Sequence, residues 1–185
     1  TRDTMADVSI KTSEDEAICE RSAALEIEMQ SRSFEWAQIN TGSWNRAGLD
    51  TLAPKLVEAF GALDAKIDVI STDPFEKISD SGSVDTFETG PVIRISARPE
   101  APTQVIMSGH YDTVFPPNTF TAIKDLGNGS FNGPGLADMK GGLSVMLGAL
   151  QAFESGPLKT KLGYQIVMTP DEETGNFASA PCLTA

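Results

Sequence analysis

Three short segments with acidic residues each lie at the boundary of an apolar run, and they constrain the fold more than any other feature. The segments span residues 108–114, 133–142 and 169–175. The first and third follow apolar runs that are typical of strands, and the second precedes an apolar stretch that is typical of a helix. Because helices alternate with apolar strands, we predict a three-layer α/β domain with a mostly parallel central sheet.

In such a sheet, ligands bind at the carboxyl ends of the strands. His110, the only histidine in the chain, ends one predicted strand, and Glu172 and Glu173 follow another. We therefore expect these side chains to converge with Asp138 at one edge of the sheet. Groups that share a metal site would place His110 and Glu173 less than about 10 Å apart.

Apolar periodicity and turn-forming residues divide the rest of the chain. Pro54 is best tolerated in a first helical turn, so one helix is expected to start near Asp50 or Thr51, capped by Asp50 or Ser43. Residues 1–14 are predicted to be a loose polar lead-in, residues 73–90 a loop, and residues 115–134 a loop that could include a hairpin. The remaining predicted elements are helices over 15–39 and 142–153 and strands over 67–70, 92–97, 104–109 and 162–168.

Composition argues against several classes of partner. The 185 residues carry a formal net charge of -12, which disfavours binding to nucleic acid and to anionic membrane surfaces. No apolar run approaches the length of a membrane span, and the N-terminal residues lack a signal-peptide apolar region. Cys19 and Cys182 have neither zinc-finger nor disulfide-framework spacing. We therefore expect free thiols in a reducing compartment, the cytoplasm.

The acidic segments contain the residue types of a metal site, although each has an ordinary structural alternative. His110 with Asp112 two residues later is the spacing of an imidazole ligand with a carboxylate that orients it, or of a hydrogen-bonded turn. Asp138 could bridge two cations or cap a helix. The run 171–173 could bind metal or form a solvated turn, and close carboxylates would raise at least one pKa. One histidine with several carboxylates suits Zn²⁺ or a similar divalent ion.

The runs GHYDTV, GPGLADMKGG and TPDEETG occur in this order along the chain. They resemble the zinc-dependent exopeptidase family of glutamate carboxypeptidase, aminoacylase, acetylornithine deacetylase and succinyl-diaminopimelate desuccinylase. The run HYDTVFP and the Asn-Gly-Pro-Gly sequence at 132–135 most resemble the glutamate carboxypeptidase branch. Any one of these motifs is a weak signal, whereas three in order are a strong one.

The resemblance implies a role for each matching residue. His110 corresponds to a metal ligand and Asp112 to the acid that orients it. Asp138 corresponds to the carboxylate that bridges two zinc ions, Glu172 to the general base, and Glu173 to a terminal ligand of the other ion. The implied cofactor is Zn²⁺, two ions per complete site, with Co²⁺ or Mn²⁺ as alternatives.

The resemblance also implies a fold and an activity. The fold is the N-terminal portion of a zinc-exopeptidase-like catalytic domain, here residues 15–185. The activity is carboxypeptidase-like hydrolysis of amide or peptide bonds, with release of a terminal amino acid such as glutamate from a small peptide or N-acyl amino acid. An aminoacylase or deacetylase is the alternative enzyme.

The family's other metal ligands and its lid and dimerisation domain have no counterpart in these 185 residues. We therefore expect a fragment with weak metal binding and little hydrolysis, and a homodimer only in the full-length parent. A non-catalytic α/β domain that retains the motifs is the second hypothesis. A Mg²⁺-dependent phosphatase ranks last because it does not explain the His-x-Asp pair.

Overall fold

The computed structural model describes residues 12–79 and 81–183. Its helices are α1 (Ser13–Ala24), α2 (Glu26–Ala37), α3 (Arg46–Phe60), α4 (Lys140–Glu154) and α5 (Ala180–Leu183). Its strands are β1 (Lys66–Ile70), β2 (Phe75–Ile78), β3 (Val84–Phe87), β4 (Val92–Ala97), β5 (Thr103–His110), β6 (Lys124–Gly127), β7 (Ser130–Asn132) and β8 (Leu162–Thr169). Short 3₁₀ turns span Pro157–Lys161 and Glu172–Thr174. The predicted lead-in lies mostly outside the described residues, and its last two residues belong to α1.

Helix α3 begins earlier than the sequence predicts. Asn45 is its N-cap, and the Asn45 side chain accepts a hydrogen bond from the Gly48 amide. Pro54 therefore lies inside the helix rather than in its first turn. The predicted start near Asp50 was wrong. Pro54 only deprives the Asp50 carbonyl of its helical donor, and the Asn45 cap and the buried leucines of α3 stabilise the longer helix.

The central sheet has four strands in the order β1-β4-β8-β5. Strands β1 and β4 are antiparallel, as are β4 and β8, whereas β5 and β8 are parallel. The α/β class is confirmed, but the prediction of a mostly parallel sheet was wrong. A parallel pair needs a crossover connection, and among these four strands only β5 and β8 are joined by one, through α4.

Strands β2 and β3 pair antiparallel within the range 73–90, which the sequence predicted to be a loop. Phe75 pairs with Phe87 across this hairpin. The Trp44 ring packs against both, with centroids 5.9 Å from Phe75 and 4.4 Å from Phe87. The sequence did not predict these strands because the segment is rich in turn-forming residues and the Trp44 ring, against which both strands pack, lies in a distant segment. The expected second hairpin is formed by β6 and β7.

The core lies between one face of the sheet and helices α2, α3 and α4. Alternate residues of β4 and β8 enter it, together with fully buried leucines of α3 and α4, and each such side chain contributes about 1.5–3 kcal/mol. Its main members are Trp36, Leu49, Leu52, Leu56, Phe60, Ile93, Ile95, Leu143, Leu147, Ile166 and Met168. On the opposite face, the Arg94 guanidinium donates to the Cys182 carbonyl, which places α5 over the sheet.

Two further findings concern the described part of the chain. No helix in it is long and apolar enough to cross a membrane. Cys19 and Cys182 are free thiols, as the sequence predicts.

Candidate metal centre

His110 is the last residue of β5 and is only 5% exposed. The preceding glycine allows β5 to approach α4 closely, because a Cβ atom on Gly109 would lie 2.7 Å from a methyl carbon of Leu143. This packing places the imidazole at the carboxyl end of the strand. The parallel pairing of His110 with Thr169 brings the segment after β8 beside it.

The two nitrogens of His110 have different partners. Nδ1 lies 3.2 Å from the Asp112 carbonyl oxygen and 3.2 Å from Asp112 Oδ1. Nε2 lies 2.9 Å from Asp138 Oδ1 and 3.9 Å from Glu172 Oε2. The ring is therefore held on one side by Asp112 and presents its other nitrogen to the remaining carboxylates, which is the arrangement of a ligating histidine with an orienting carboxylate.

Asp112 is fully buried and connects three separate segments. Its Oδ1 accepts the Glu172 amide at 3.1 Å, and its Oδ2 accepts the Glu173 amide at 3.1 Å. The Ser43 hydroxyl donates to Oδ2 at 2.7 Å. Asp112 thus fixes the backbone that carries both glutamates in addition to the imidazole.

Asp138 precedes α4 on a glycine-rich loop. Gly135 has a φ of 71°, a left-handed conformation that favours glycine, and its carbonyl accepts the Lys140 amide at 2.8 Å. The N-cap of α4 is Met139, with no side-chain cap hydrogen bond, so Asp138 does not act as the helix cap. The peptide bond between Asp138 and Met139 is cis. The Asp138 side chain is 74% exposed and contacts His110.

The three acidic residues after β8 have different environments. Asp171 is 1% exposed, and its Oδ2 accepts the Ala178 amide at 2.8 Å and the Ser179 amide at 3.3 Å. It therefore holds the following turn rather than facing the other carboxylates. The Glu172 side chain is half exposed, and Glu173 is partly buried beside Asp138 and His110.

His110, Asp138 and Glu173 each offer one ligand atom, and these three atoms lie within 4.8 Å of one another. The prediction that His110 and Glu173 would converge is confirmed. One imidazole nitrogen with two carboxylate oxygens is a donor set that suits Zn²⁺, so the residues fit the ion that the motifs imply.

The charges of the cluster shift two pKa values. Burial lowers the pKa of His110, but the hydrogen bond and charge of Asp112, with Asp138 and Glu172, outweigh it and raise the value to about 9. Burial, followed by the charge of Asp138, raises the pKa of Glu173. The expectation of at least one raised carboxyl pKa is confirmed, although burial contributes more than repulsion between carboxylates.

Sequence reasoning missed two polar residues that support this centre. Ser43, considered only as a helix cap, instead donates to Asp112 from 69 positions away. Lys140 is fully buried, and its ammonium donates to the Ile39 carbonyl at 2.7 Å, which joins the start of α4 to the turn after α2. No local pattern could reveal either contact, since each depends on how distant segments pack.

The sequence profile of the peptidase family M20/M25/M40 matches residues 106–185, the part of the chain that contains the cluster. The family resemblance is confirmed. The matched residues, 106–185, include all three motifs. No curated protein matches the sequence in a direct comparison.

Solved structures with a similar fold include two dipeptidases and an M20 family metallo-carboxypeptidase. Human carnosine dipeptidase 1 is 18% identical, with a TM-score of 0.73, and the match covers 91% of this chain and 37% of that one. The dipeptidase Dug1p of Saccharomyces cerevisiae is 18% identical over 91% of this chain and 37% of that one, with a TM-score of 0.69. An M20 family metallo-carboxypeptidase of Sulfolobus solfataricus is 16% identical over 84% of this chain and 33% of that one, with a TM-score of 0.61.

These likenesses show the fold. The chain spans between 33% and 37% of the length of each of these structures.

Proposed function

We propose that the chain supplies the metal-binding and general-base part of a dinuclear zinc hydrolase that cleaves amide or peptide bonds. The observation that carries this proposal is the convergence of His110, Asp138 and Glu173, with their ligand atoms within 4.8 Å of one another. His110 and Glu173 would each bind one ion, and Asp138 would bridge the two. When bound, zinc supplies Lewis acidity that polarises a scissile carbonyl and acidifies water.

Glu172 is the general base in this proposal. Its Oε2 lies 3.9 Å from His110 Nε2, and its half-exposed side chain is open to water and substrate. The Glu172 carboxylate would accept a proton from the attacking water and then deliver it to the leaving amine. Asp112 is the positioning residue, because it holds the Glu172 amide and the imidazole at the same time.

A carboxypeptidase-like reaction on a small peptide or N-acyl amino acid is the proposed specificity. The dipeptidase and metallo-carboxypeptidase activities named for the structures of similar fold support this choice over an aminoacylase or deacetylase. We propose that residues 15–185 form the N-terminal portion of the catalytic domain and that the protein works in the cytoplasm. Zinc remains the favoured metal over Co²⁺ or Mn²⁺.

Zinc binding by the 185-residue chain tests the metal ligands directly. We expect Glu173→Ala to weaken zinc binding by about tenfold or more, because a missing ligand weakens the site itself. Glu172→Ala is the matched control, one residue away, and should leave zinc affinity within about twofold. Both affinities can be measured by calorimetry and by competition with a chromogenic chelator. Equal effects of the two substitutions would contradict the assigned roles.

Hydrolysis of N-acyl-glutamate and of a dipeptide tests the reaction. Two ions that share Asp138 would each have two protein ligands in this chain, so we expect no appreciable turnover from the 185 residues with added Zn²⁺. In the complete enzyme that we propose, Glu172→Ala should abolish turnover with zinc content preserved. Robust hydrolysis by the 185-residue chain would show that the reasoning from ligand number is wrong, and an unchanged rate in the Glu172 variant would remove it as the base.

A further inference from the structure

A cleft beside the candidate metal centre has no part in the chemistry described so far. It has a volume of about 440 Å³ and is lined by Trp44, Lys77, Val114, Pro116, Pro117 and Glu173, among others. We name it the Trp44 cleft. Its size is within the range of small-molecule sites. Because Glu173 belongs both to this cleft and to the metal-binding group, the two are continuous.

The apolar walls of the cleft are held in place by contacts that do not depend on a ligand. Trp44 packs against Phe87 with ring centroids 4.4 Å apart, yet it remains 44% exposed. On the opposite side, Asn40 Nδ2 donates to the carbonyls of Phe115 at 3.1 Å and Pro116 at 3.3 Å. Val114 between these walls is 60% exposed. The cleft therefore presents preformed apolar surface next to the candidate metal centre.

The cleft also presents a cation in a strongly acidic chain. Lys77 Nζ lies 5.1 Å from the centroid of the Trp44 ring, within cation–π distance. Asp85 is opposite Lys77 in the hairpin, but its carboxylate accepts the Ser83 hydroxyl at 3.2 Å instead. Within residues 12–79 and 81–183, Lys77 has no ion pair. Its charge is thus available to an acidic group that enters the cleft.

We propose that the Trp44 cleft is a substrate subsite that receives an apolar group bearing a carboxylate, with Lys77 as the specificity-determining residue. This inference rests on the proposed function, because it assigns the cleft to the substrate of the neighbouring metal centre. Glu173 also lines the cleft, and its carboxylate repels a substrate carboxylate, which leaves Lys77 as the cation that such a group can approach. Lys77 therefore pairs with the substrate carboxylate, while the apolar part of the substrate packs against Trp44.

The test uses hippurate, which joins an aromatic ring to a carboxylate, and hippuramide, its uncharged analogue. Binding to the metal-free 185-residue chain in EDTA is followed through the Trp44 indole N–H resonance in ¹H–¹⁵N spectra. We expect saturable hippurate binding with a Kd on the order of 1 mM. The advantage over hippuramide should be about fivefold, the upper range for an exposed charge pair.

Lys77→Met keeps the aliphatic stem and should abolish the preference for hippurate. Lys124→Met, which removes an exposed lysine from the other hairpin, should retain it. Absence of saturable hippurate binding, or an unchanged preference in Lys77→Met, overturns the proposal. This binding experiment contains no metal, so its failure would not change the zinc affinities of the Glu172 and Glu173 variants. Failure of the proposed subsite can therefore be distinguished from failure of the proposed metal centre.

Discussion

Replacement of Asp112 by asparagine should show how much the centre depends on one buried carboxylate. Asp112 accepts hydrogen bonds from the amides of Glu172 and Glu173 and from the Ser43 hydroxyl. Asparagine has nearly the same shape but only one acceptor oxygen. Whichever way its amide is turned, an NH₂ group faces at least one of the two backbone N–H groups.

The magnitude follows from these contacts. A buried donor left without an acceptor costs about 1–3 kcal/mol, and the bonds that remain lose the extra strength of a charged acceptor. We expect Asp112→Asn to lower the free energy of unfolding of the metal-free chain by about 3 kcal/mol. Zinc affinity should fall about 10- to 100-fold, since an orienting partner of a ligating histidine is impaired.

Urea denaturation followed by circular dichroism measures the stability, and calorimetry measures zinc affinity. Asp73→Asn is the control, because Asp73 is exposed and the same charge is removed. It should change stability by less than about 0.5 kcal/mol. A loss below about 1 kcal/mol in Asp112→Asn, with zinc affinity unchanged, would refute the positioning role derived from the hydrogen bonds.

Three further outcomes follow from the charges in the structure. Because the pKa of His110 is raised to about 9, zinc binding at pH 7 should release close to one proton. Below a pH equal to this pKa, zinc affinity should fall about tenfold per pH unit. Calorimetry in buffers of different ionisation enthalpy measures both the proton release and the affinity. The same raised pKa means that the metal-free folded state binds the His110 proton more tightly than the unfolded chain does. The free energy of unfolding should therefore fall by about 2 kcal/mol between pH 6.5 and 8, and His110→Ala should lack this loss in urea titrations. The Arg98–Glu154 pair is mostly buried, with side chains 18% and 11% exposed, so Glu154→Gln should cost about 2 kcal/mol, between the values for exposed and fully buried pairs; a thermal-unfolding midpoint equal to that of the parent chain would contradict it.

Local sequence patterns were sufficient for the elements that carry the candidate site. The apolar runs before His110 and before Asp171 form β5 and β8, and the apolar stretch after Asp138 forms α4. Each of these elements has a continuous apolar signal, and its end is marked by a change to polar residues. Because the carboxyl ends of neighbouring parallel strands meet at one sheet edge, the convergence of His110 and Glu173 could also be predicted.

Strand direction and the short hairpin strands could not be predicted in the same way. Apolar alternation in β4 is identical for parallel and antiparallel pairing, so only the path of the connections decides its direction. Strands β2 and β3 have only four residues each, too short for a periodic signal, and they are stabilised by the distant Trp44 ring.

The sequence by itself determined which residue types are available for metal binding and where they stand along the strands, since ligand chemistry and strand periodicity are local properties. Only the tertiary structure decided how they are divided between roles. In the fold, Asp171 accepts hydrogen bonds from the amides of Ala178 and Ser179. Asp112 instead accepts from the amides of Glu172 and Glu173 and from the Ser43 hydroxyl, which lies in another segment. The physical reason is that a buried carboxylate is stabilised by whichever donors the fold places around it, and those donors come from residues far apart in the chain.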